Sequence, residues 1–403
     1  MSLTSECDMM KATRLTREGR LEEAMALLRA SATLSAARTG DGDVHRGPGR
    51  ARAASIIDMM PPSRVSGASW TAPNARGLQP HAMPEAILHR LRSPTGARGF
   101  DRLIGRVAKP ALAPLPDGAR FETHSFANDT GRRTYKLYIP SCYRGEALPL
   151  LIMLHGCTQS PDDFAAGTRM NDVAEEQAFL VAYPAQSQTA NASRCWNWFN
   201  GSDQQRDRGE PSLIAGITRQ IADNFPVTPG RVYVAGLSAG GAAAAIMGMT
   251  YPDLYAAIGV HSGLACGAAR DMPSAFAAMR QGSASAPIDG SALHLDARIV
   301  PTIVFHGDGD QTVNPINGDQ VIAQSKNAKR LRTTVSRGAA GGISFTRTVQ
   351  SDDQGRPLLE HWLLHGAGHA WSGGSTAGSF TEPSGPDASR EMVRFFLQQG
   401  SRA

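Results

Sequence analysis

One stretch narrows the folding options of this 403-residue chain more than any other: a strand-like run at 231–235 ends in Gly236-Leu237-Ser238-Ala239-Gly240-Gly241 and passes straight into the small-residue helical run 242–249. A serine on a sharp strand-to-helix turn is held with Oγ clear of the sheet, at the positive end of the following helix. Glycines flank it because a side chain there would meet neighbouring backbone. In a chain with 42 Gly the pentapeptide alone is weak, and its weight comes from strand, turn and helix occurring in order. A nucleotide-binding loop would instead present a spaced G-x-G-x-x-G, which this segment lacks. Ser238 is therefore the candidate nucleophile.

The surrounding texture agrees. From about Ala119 onward strands alternate with helices. Residues 121–126 and 133–139 read as a hairpin around Asn128-Asp129-Thr130-Gly131. The continuous apolar run 148–154 is what a strand buried on both faces of a parallel sheet requires. A helix at 169–178, a strand at 179–183, a helix at 212–225 stopped by Pro226, strands at 299–305 and 358–364 and a helix at 389–398 follow. This alternation predicts an α/β fold, a mostly parallel sheet flanked by helices. Residues 263–297, small and polar between two core strands, predict a cap or a passive surface excursion.

A serine hydroxyl needs a base, and the base needs an orienting carboxylate, in the chain order Ser, Asp, His for α/β hydrolases. The strand at 299–305 opens into His306-Gly307-Asp308-Gly309-Asp310-Gln311-Thr312-Val313, at a carboxyl end where such sheets place function. Asp308 and Asp310 compete; Asp310 is preferred because H-G-x-x-D-x-x-V is the usual arrangement, with Asp308 serving the turn. Of His361, His365 and His369, the first two sit in or at the end of a strand, whereas His369 lies in the glycine-flanked loop 366–371 and is the expected base. Two N–H donors must face the developing oxyanion. Ala239, after the serine, supplies one, and Cys157 in His155-Gly156-Cys157-Thr158-Gln159 can supply the other through its backbone. Cys195 is a candidate disulfide partner for Cys157; spacing leaves that pairing open, and a reducing cytosol would oppose it.

Five segments taken together, His155 to Gln159, Trp196-Asn197-Trp198-Phe199, Gly236 to Gly241, His306-Gly307-x-x-Asp310-x-x-Val313 and Gly368-His369-Ala370-Trp371-Ser372-Gly373-Gly374, resemble the polyhydroxybutyrate depolymerase family of esterases. These are α/β hydrolases related to feruloyl and acetylxylan esterases. The resemblance runs from about Phe121 to Leu397. It implies Ser238 as nucleophile, Asp310 as orienting acid, His369 as base and Cys157 with Ala239 as oxyanion donors, with no cofactor and no metal. Trp196, Trp198 and Trp371 are candidates for lining the acyl or polymer cleft, with a buried core role as the equal alternative for each. The implied substrate is a carboxylic ester: hydroxyalkanoate oligomers first, plant cell-wall aryl or acetyl esters as the alternative. A non-enzymatic alternative is a granule-binding protein with a vestigial hydrolase fold. Secreted polymer-degrading relatives often add a substrate-binding domain; the chain ends soon after the helix at 389–398, so short esters, oligomers or amorphous granules are expected rather than crystalline polymer.

The first 117 residues read differently. They hold 17 Lys+Arg against 11 Asp+Glu, while the remainder holds 24 against 25, so the formal charge of +5 belongs to the N-terminal part. Within 1–32, Leu21, Ala24, Met25 and Leu28 recur at helical spacing, predicting an amphipathic helix whose partner the sequence does not name. Residues 33–117 predict a flexible Arg/Gly/Pro/Ala-rich linker, and 118–400 the catalytic domain. The arginines lack interleaved aromatics, which argues against a nucleic-acid partner. No apolar run approaches the roughly 20 residues of a membrane span. With no basic and apolar leader at the start, a cytoplasmic location is expected, although members of the resembled family are often extracellular.

Overall fold

The computed structural model describes residues 114–283, 300–326 and 330–399. The expected N-terminal helix, nearly all of the linker, the later part of the 263–297 segment and residue 400 lie outside them.

Ten strands form one sheet. In chain order they are β1 (Arg120–Asn128), β2 (Gly131–Ile139), β3 (Leu148–Leu154), β4 (Leu180–Pro184), β5 (Val227–Leu237), β6 (Ala257–His261), β7 (Thr302–Gly307), β8 (Arg332–Ala340), β9 (Ile343–Ser351) and β10 (Pro357–Leu364). Their spatial order is β1-β2-β4-β3-β5-β6-β7-β10-β9-β8. The strands from β4 to β10 pair in parallel, and the antiparallel pairs β1–β2 and β8–β9 extend the two edges.

Side chains alternate across this sheet with period two, as a pleated strand demands. Leu148, Leu150, Ile152 and Leu154 of β3 enter one apolar cluster, and Leu151 and Met153 enter the other. Because both faces are covered, the strand reads as continuously apolar. The first face is covered by α3 (Gly209–Asn224), α4 (Ala239–Thr250), α5 (Met272–Gln281) and α6 (Ile316–Ser325). The second is covered by α1 (Pro161–Thr168), α2 (Met170–Gln177) and α7 (Ala388–Leu397). No helix among the described residues is long and apolar enough to cross a membrane.

Several elements differ from the sequence expectation for physical reasons. The predicted helix at 169–178 is α2; α1, which carries no expectation from the sequence, precedes it and is separated from it at Arg169, in the left-handed conformation at φ 54°. Ser160 caps α1 by accepting the Asp163 N–H at 3.2 Å. The excursion after β6 contains α5, whose Asp271 and Ser274 form a capping box. Strands β6, β8 and β9 and helix α6 carry no expectation from the sequence.

Strand order fixes where the site lies. The chain leaves β3 to build β4 on one side, then crosses to build β5 on the other, so the crevice beyond the carboxyl ends of β3 and β5 is a topological switch point. His155-Gly156-Cys157 and Ser238 both emerge there.

Candidate active site

The turn at Ser238 is strained: φ is 58° and ψ is −119° at a non-glycine residue. The surroundings hold it there. Ser238 N–H donates to His261 O at 2.9 Å and Ser238 O accepts the Ala242 N–H at 2.9 Å. Helix α4 approaches β3 so closely that a Cβ on Gly240 would fall inside contact distance of Leu154 O. Ser238 is half-buried, and its Oγ makes no hydrogen bond to another described residue. Ala239 is the first residue of α4, and an N–H at that position has no intrahelical acceptor.

The loop after β3 lies against this turn; a Cβ on Gly156 would sit 3.7 Å from Ser238 Cβ. Cys157 is bonded to Cys195 in a disulfide closing a separation of 38 residues. Thr158, at φ 68°, donates its N–H to Ser193 O at 2.6 Å. The loop after β3 and the 191–199 loop are thus one covalently joined unit.

The acid and the histidine come from the far side. Asp310 Oδ2 and His369 Nδ1 are 2.7 Å apart, so the imidazole donates from Nδ1 and keeps Nε2 for a hydroxyl. Asp310 Oδ1 accepts the N–H groups of Thr312 and Val313, each at 2.9 Å. His306 Nε2 donates to Val313 O at 2.9 Å and stands 3.5 Å from Asp310 Oδ2. Burial raises the Asp310 carboxyl, but the hydrogen bonds from His306, His369 and Val313 and the charge of His369 outweigh it, holding the group well below the usual carboxylate range.

Asp308 takes a separate task. Its Oδ2 is 2.8 Å from His365 Nδ1, its Oδ1 accepts the Gly366 N–H at 2.6 Å, and His365 Nε2 meets Thr346 Oγ1 at 2.9 Å. It therefore ties the acid loop to the start of the histidine loop. His361 is mostly buried in β10, with Nδ1 3.4 Å from Asp319 Oδ1.

The aromatic candidates divide. Trp196 is 0% exposed; its Nε1 donates to His155 O at 3.1 Å. Trp371 is 1% exposed, edge-on to Phe164 at 5.5 Å, with Nε1 donating to Ser389 Oγ at 3.1 Å. Of the two roles open to them, lining the cleft is corrected and the core role stands: both are core residues whose polar handles are satisfied internally. Trp198 keeps a sliver of surface at 6% and packs edge-on against half-buried Phe199 at 5.7 Å.

His261 was not singled out by sequence. Its carbonyl holds the Ser238 N–H, its Nε2 accepts the Ser372 N–H at 3.1 Å, and its ring stacks on Trp371 at 5.1 Å. Burial pushes its pKa down to about 3, helped by the charges of His306 and His369, so it is a neutral spacer. Its position at the end of a short apolar strand was the only signal.

Comparison with known proteins addresses the family and the fold. Residues 133–347 match the sequence profile of the family described as Esterase PHB depolymerase. Poly(3-hydroxyalkanoate) depolymerase C of Paucimonas lemoignei is 30% identical over 62% of this chain and 61% of its own length. Poly(3-hydroxybutyrate) depolymerase of Ralstonia pickettii is 27% identical over 56% of this chain and 48% of its own. The chain therefore spans about half to three-fifths of the length of these two relatives. Feruloyl esterase B of Neurospora crassa is 27% identical over 60% of this chain and 85% of its own. The solved structure of an acetyl xylan esterase from Aspergillus awamori superposes with a TM-score of 0.55 at 17% identity, covering 69% of this chain and 99% of that one, which supports a common α/β-hydrolase fold. The profile match over more than half of the sequence, on a sheet with its serine turn at the switch point, makes this chain a member of the Esterase PHB depolymerase family.

Proposed function

We propose that the chain is a serine esterase that hydrolyses carboxylic esters through an acyl-enzyme. The observation that carries this reading is the Asp310–His369 hydrogen bond at 2.7 Å, on loops at the same carboxyl end of the sheet as the strained Ser238 turn. His369 Nε2 takes the Ser238 hydroxyl proton, Ser238 Oγ attacks the ester carbonyl, and the N–H groups of Cys157 and Ala239 receive the oxyanion. His369 returns the proton to the leaving alcohol, and water, activated the same way, releases the acid. Hydrogen bonds between a free serine and its base are often unformed before substrate arrives, so the free Ser238 Oγ is compatible with this role.

Hydroxyalkanoate oligomers are the favoured substrate class, supported by the names of the two depolymerase relatives. Feruloyl or acetyl esters of carbohydrate are a second reading, favoured by the match to feruloyl esterase B over 85% of that protein. Purified protein assayed on 3-hydroxybutyrate oligomers, methyl ferulate and acetylated xylan ranks them: the highest kcat/KM is expected on the oligomers, and a ferulate preference overturns that choice. Absence of hydrolysis of any of them, and of p-nitrophenyl butyrate, refutes the esterase reading. The Cys157–Cys195 disulfide favours folding in an oxidising compartment over the cytoplasmic location expected from the N-terminal sequence.

A further inference from the structure

Behind the oxyanion loop lies a buried polar network that the proposed chemistry does not use. Its centre is Glu210, in the first turn of α3 and 6% exposed. Donors converge on its carboxylate from three stretches of chain. Asn197 N–H reaches Oε2 at 2.7 Å and Asn197 Nδ2 reaches Oε1 at 2.8 Å. Gln186 Nε2 donates to Oε1, and Arg133 Nη2 of β2 stands 3.5 Å from it. Asp203 does not compete, because its Oδ1 accepts the Glu210 N–H at 2.8 Å.

The network continues toward the site. Gln186 Nε2 also donates to Cys195 O at 2.9 Å, and the Gln186 N–H donates to His155 Nε2 at 3.1 Å. His155 is fully buried, which pushes its pKa down to about 4, so it is neutral and carries its proton on Nδ1. That Nδ1–H donates to Gly156 O at 2.7 Å. A trans peptide is planar, with its carbonyl and N–H pointing opposite ways, so fixing Gly156 O fixes the direction of the Cys157 N–H. Cys157 is also held covalently through Cys195, which sits between Gln186 and Asn197 in the network.

We propose that Glu210 is a positioning residue for the oxyanion loop: through Asn197, Gln186 and His155, its carboxylate sets the direction of the Cys157 N–H. The proposal rests on the esterase reading above. A carboxylate is acceptor-only and matches four converging donors, whereas a protonated acid would turn an O–H toward one of them. Burial pushes the Glu210 carboxyl up to about 7; Asp203 adds to this, while the Asn197 and Gln186 hydrogen bonds and the Arg133 charge oppose it. Arg133, from β2, and Asp203, from the segment before α3, are the charged groups facing it. As pH falls through neutrality one carboxyl oxygen therefore turns from acceptor to donor, the hydrogen bond it received is lost, and the loop loosens on the acid side.

The test measures kcat and KM on p-nitrophenyl butyrate from pH 5 to 9 for the wild type and Glu210→Gln. At pH 8 the variant is expected to lose roughly 10-fold in kcat, part of what full loss of an oxyanion donor costs, with KM within about twofold. Its acid limb is expected to show one ionisation fewer than that of the wild type. Unchanged kcat and an unchanged profile, or a loss confined to KM, overturns the proposal. A wild type with no esterase activity refutes the esterase reading instead, and hydrogen exchange of the wild-type 191–198 segment then tests the network on its own, as it does if the variant does not fold. After correction for intrinsic rates, exchange several-fold faster at pH 6 than at pH 8 is expected; equal protection overturns the idea.

Discussion

The two halves of the site are held by different physics. The nucleophile side, at the ends of β3 and β5, is fixed at its serine by backbone sterics and at Cys157 by a covalent bond, with the Glu210 carboxylate network as a pH-sensitive support behind that loop: Gly240 has no room for a Cβ beside Leu154 O, Ser238 sits in a strained conformation, and Cys157 is tied to Cys195. The acid and histidine side, beyond β7 and β10, is fixed by ionised and imidazole hydrogen bonds: Asp310 to His369, and Asp308 to His365 and Gly366. Steric and covalent restraints are indifferent to pH, whereas hydrogen bonds to carboxylates are not. In the proposed reaction the first half sets where the oxygen and the oxyanion stand, and the second sets where the proton goes.

Substitutions can break this division at points of graded severity. Ser238→Ala removes the proposed nucleophile and is expected to lower kcat on p-nitrophenyl butyrate by on the order of 10^5-fold while leaving the unfolding temperature nearly unchanged. Asp310→Asn presents the wrong partner to His369 Nδ1 and is expected to cost about 10^4-fold in kcat. Its stability consequence has a definite sign. The depressed carboxyl of the folded protein contributes stability that is present above the unfolded value of about 4 and is lost as pH falls below it. The linkage predicts that the difference in urea midpoint between wild type and Asp310→Asn is largest above about pH 4 and shrinks in more acidic buffer; a difference that grows there contradicts it.

Gly240→Ala tests the steric half alone. With no space beside Leu154 O, it is expected to destabilise by roughly 4 kcal/mol, read as a lowered urea midpoint at every pH. Replacing both Cys157 and Cys195 by Ser opens a 38-residue separation and is expected to cost about 3 kcal/mol, again without pH dependence. Asp308→Asn is the mildest: Asp308 braces the histidine loop from outside, and a loss of less than about 10-fold in kcat is expected, together with unchanged KM. A loss as large as that of Asp310→Asn would show that the two aspartates are not separable in role.

The nucleophile half was the more legible in the sequence, because steric demands write themselves as residue identities. Glycines around Ser238 and the apolar run before His155 each have a local cause, so strand, turn and helix followed in order. The acid half was less legible: preferring Asp310 over Asp308 took the H-G-x-x-D-x-x-V pattern, and His369 stood apart from its neighbours only by its loop position, since all of these residues make hydrogen bonds or ion pairs in the fold. Strands β8 and β9 escaped notice because an edge hairpin of Thr, Ser and Arg carries little apolar alternation; β8 is exposed along most of its length. The indoles of Trp196 and Trp371 misled because burial of an aromatic ring depends on distant partners such as Ser389, 18 residues away, which no local pattern announces.

His261 gives this arrangement a property that neither half has alone. Its carbonyl grips the turn of Ser238 and its ring nitrogen grips Ser372, three residues past His369. In the language of machine assembly it is a shared datum: both working parts are gauged from one reference piece, so small errors in the placement of each loop do not accumulate across the gap between hydroxyl and imidazole. A sheet that flexes carries the two together.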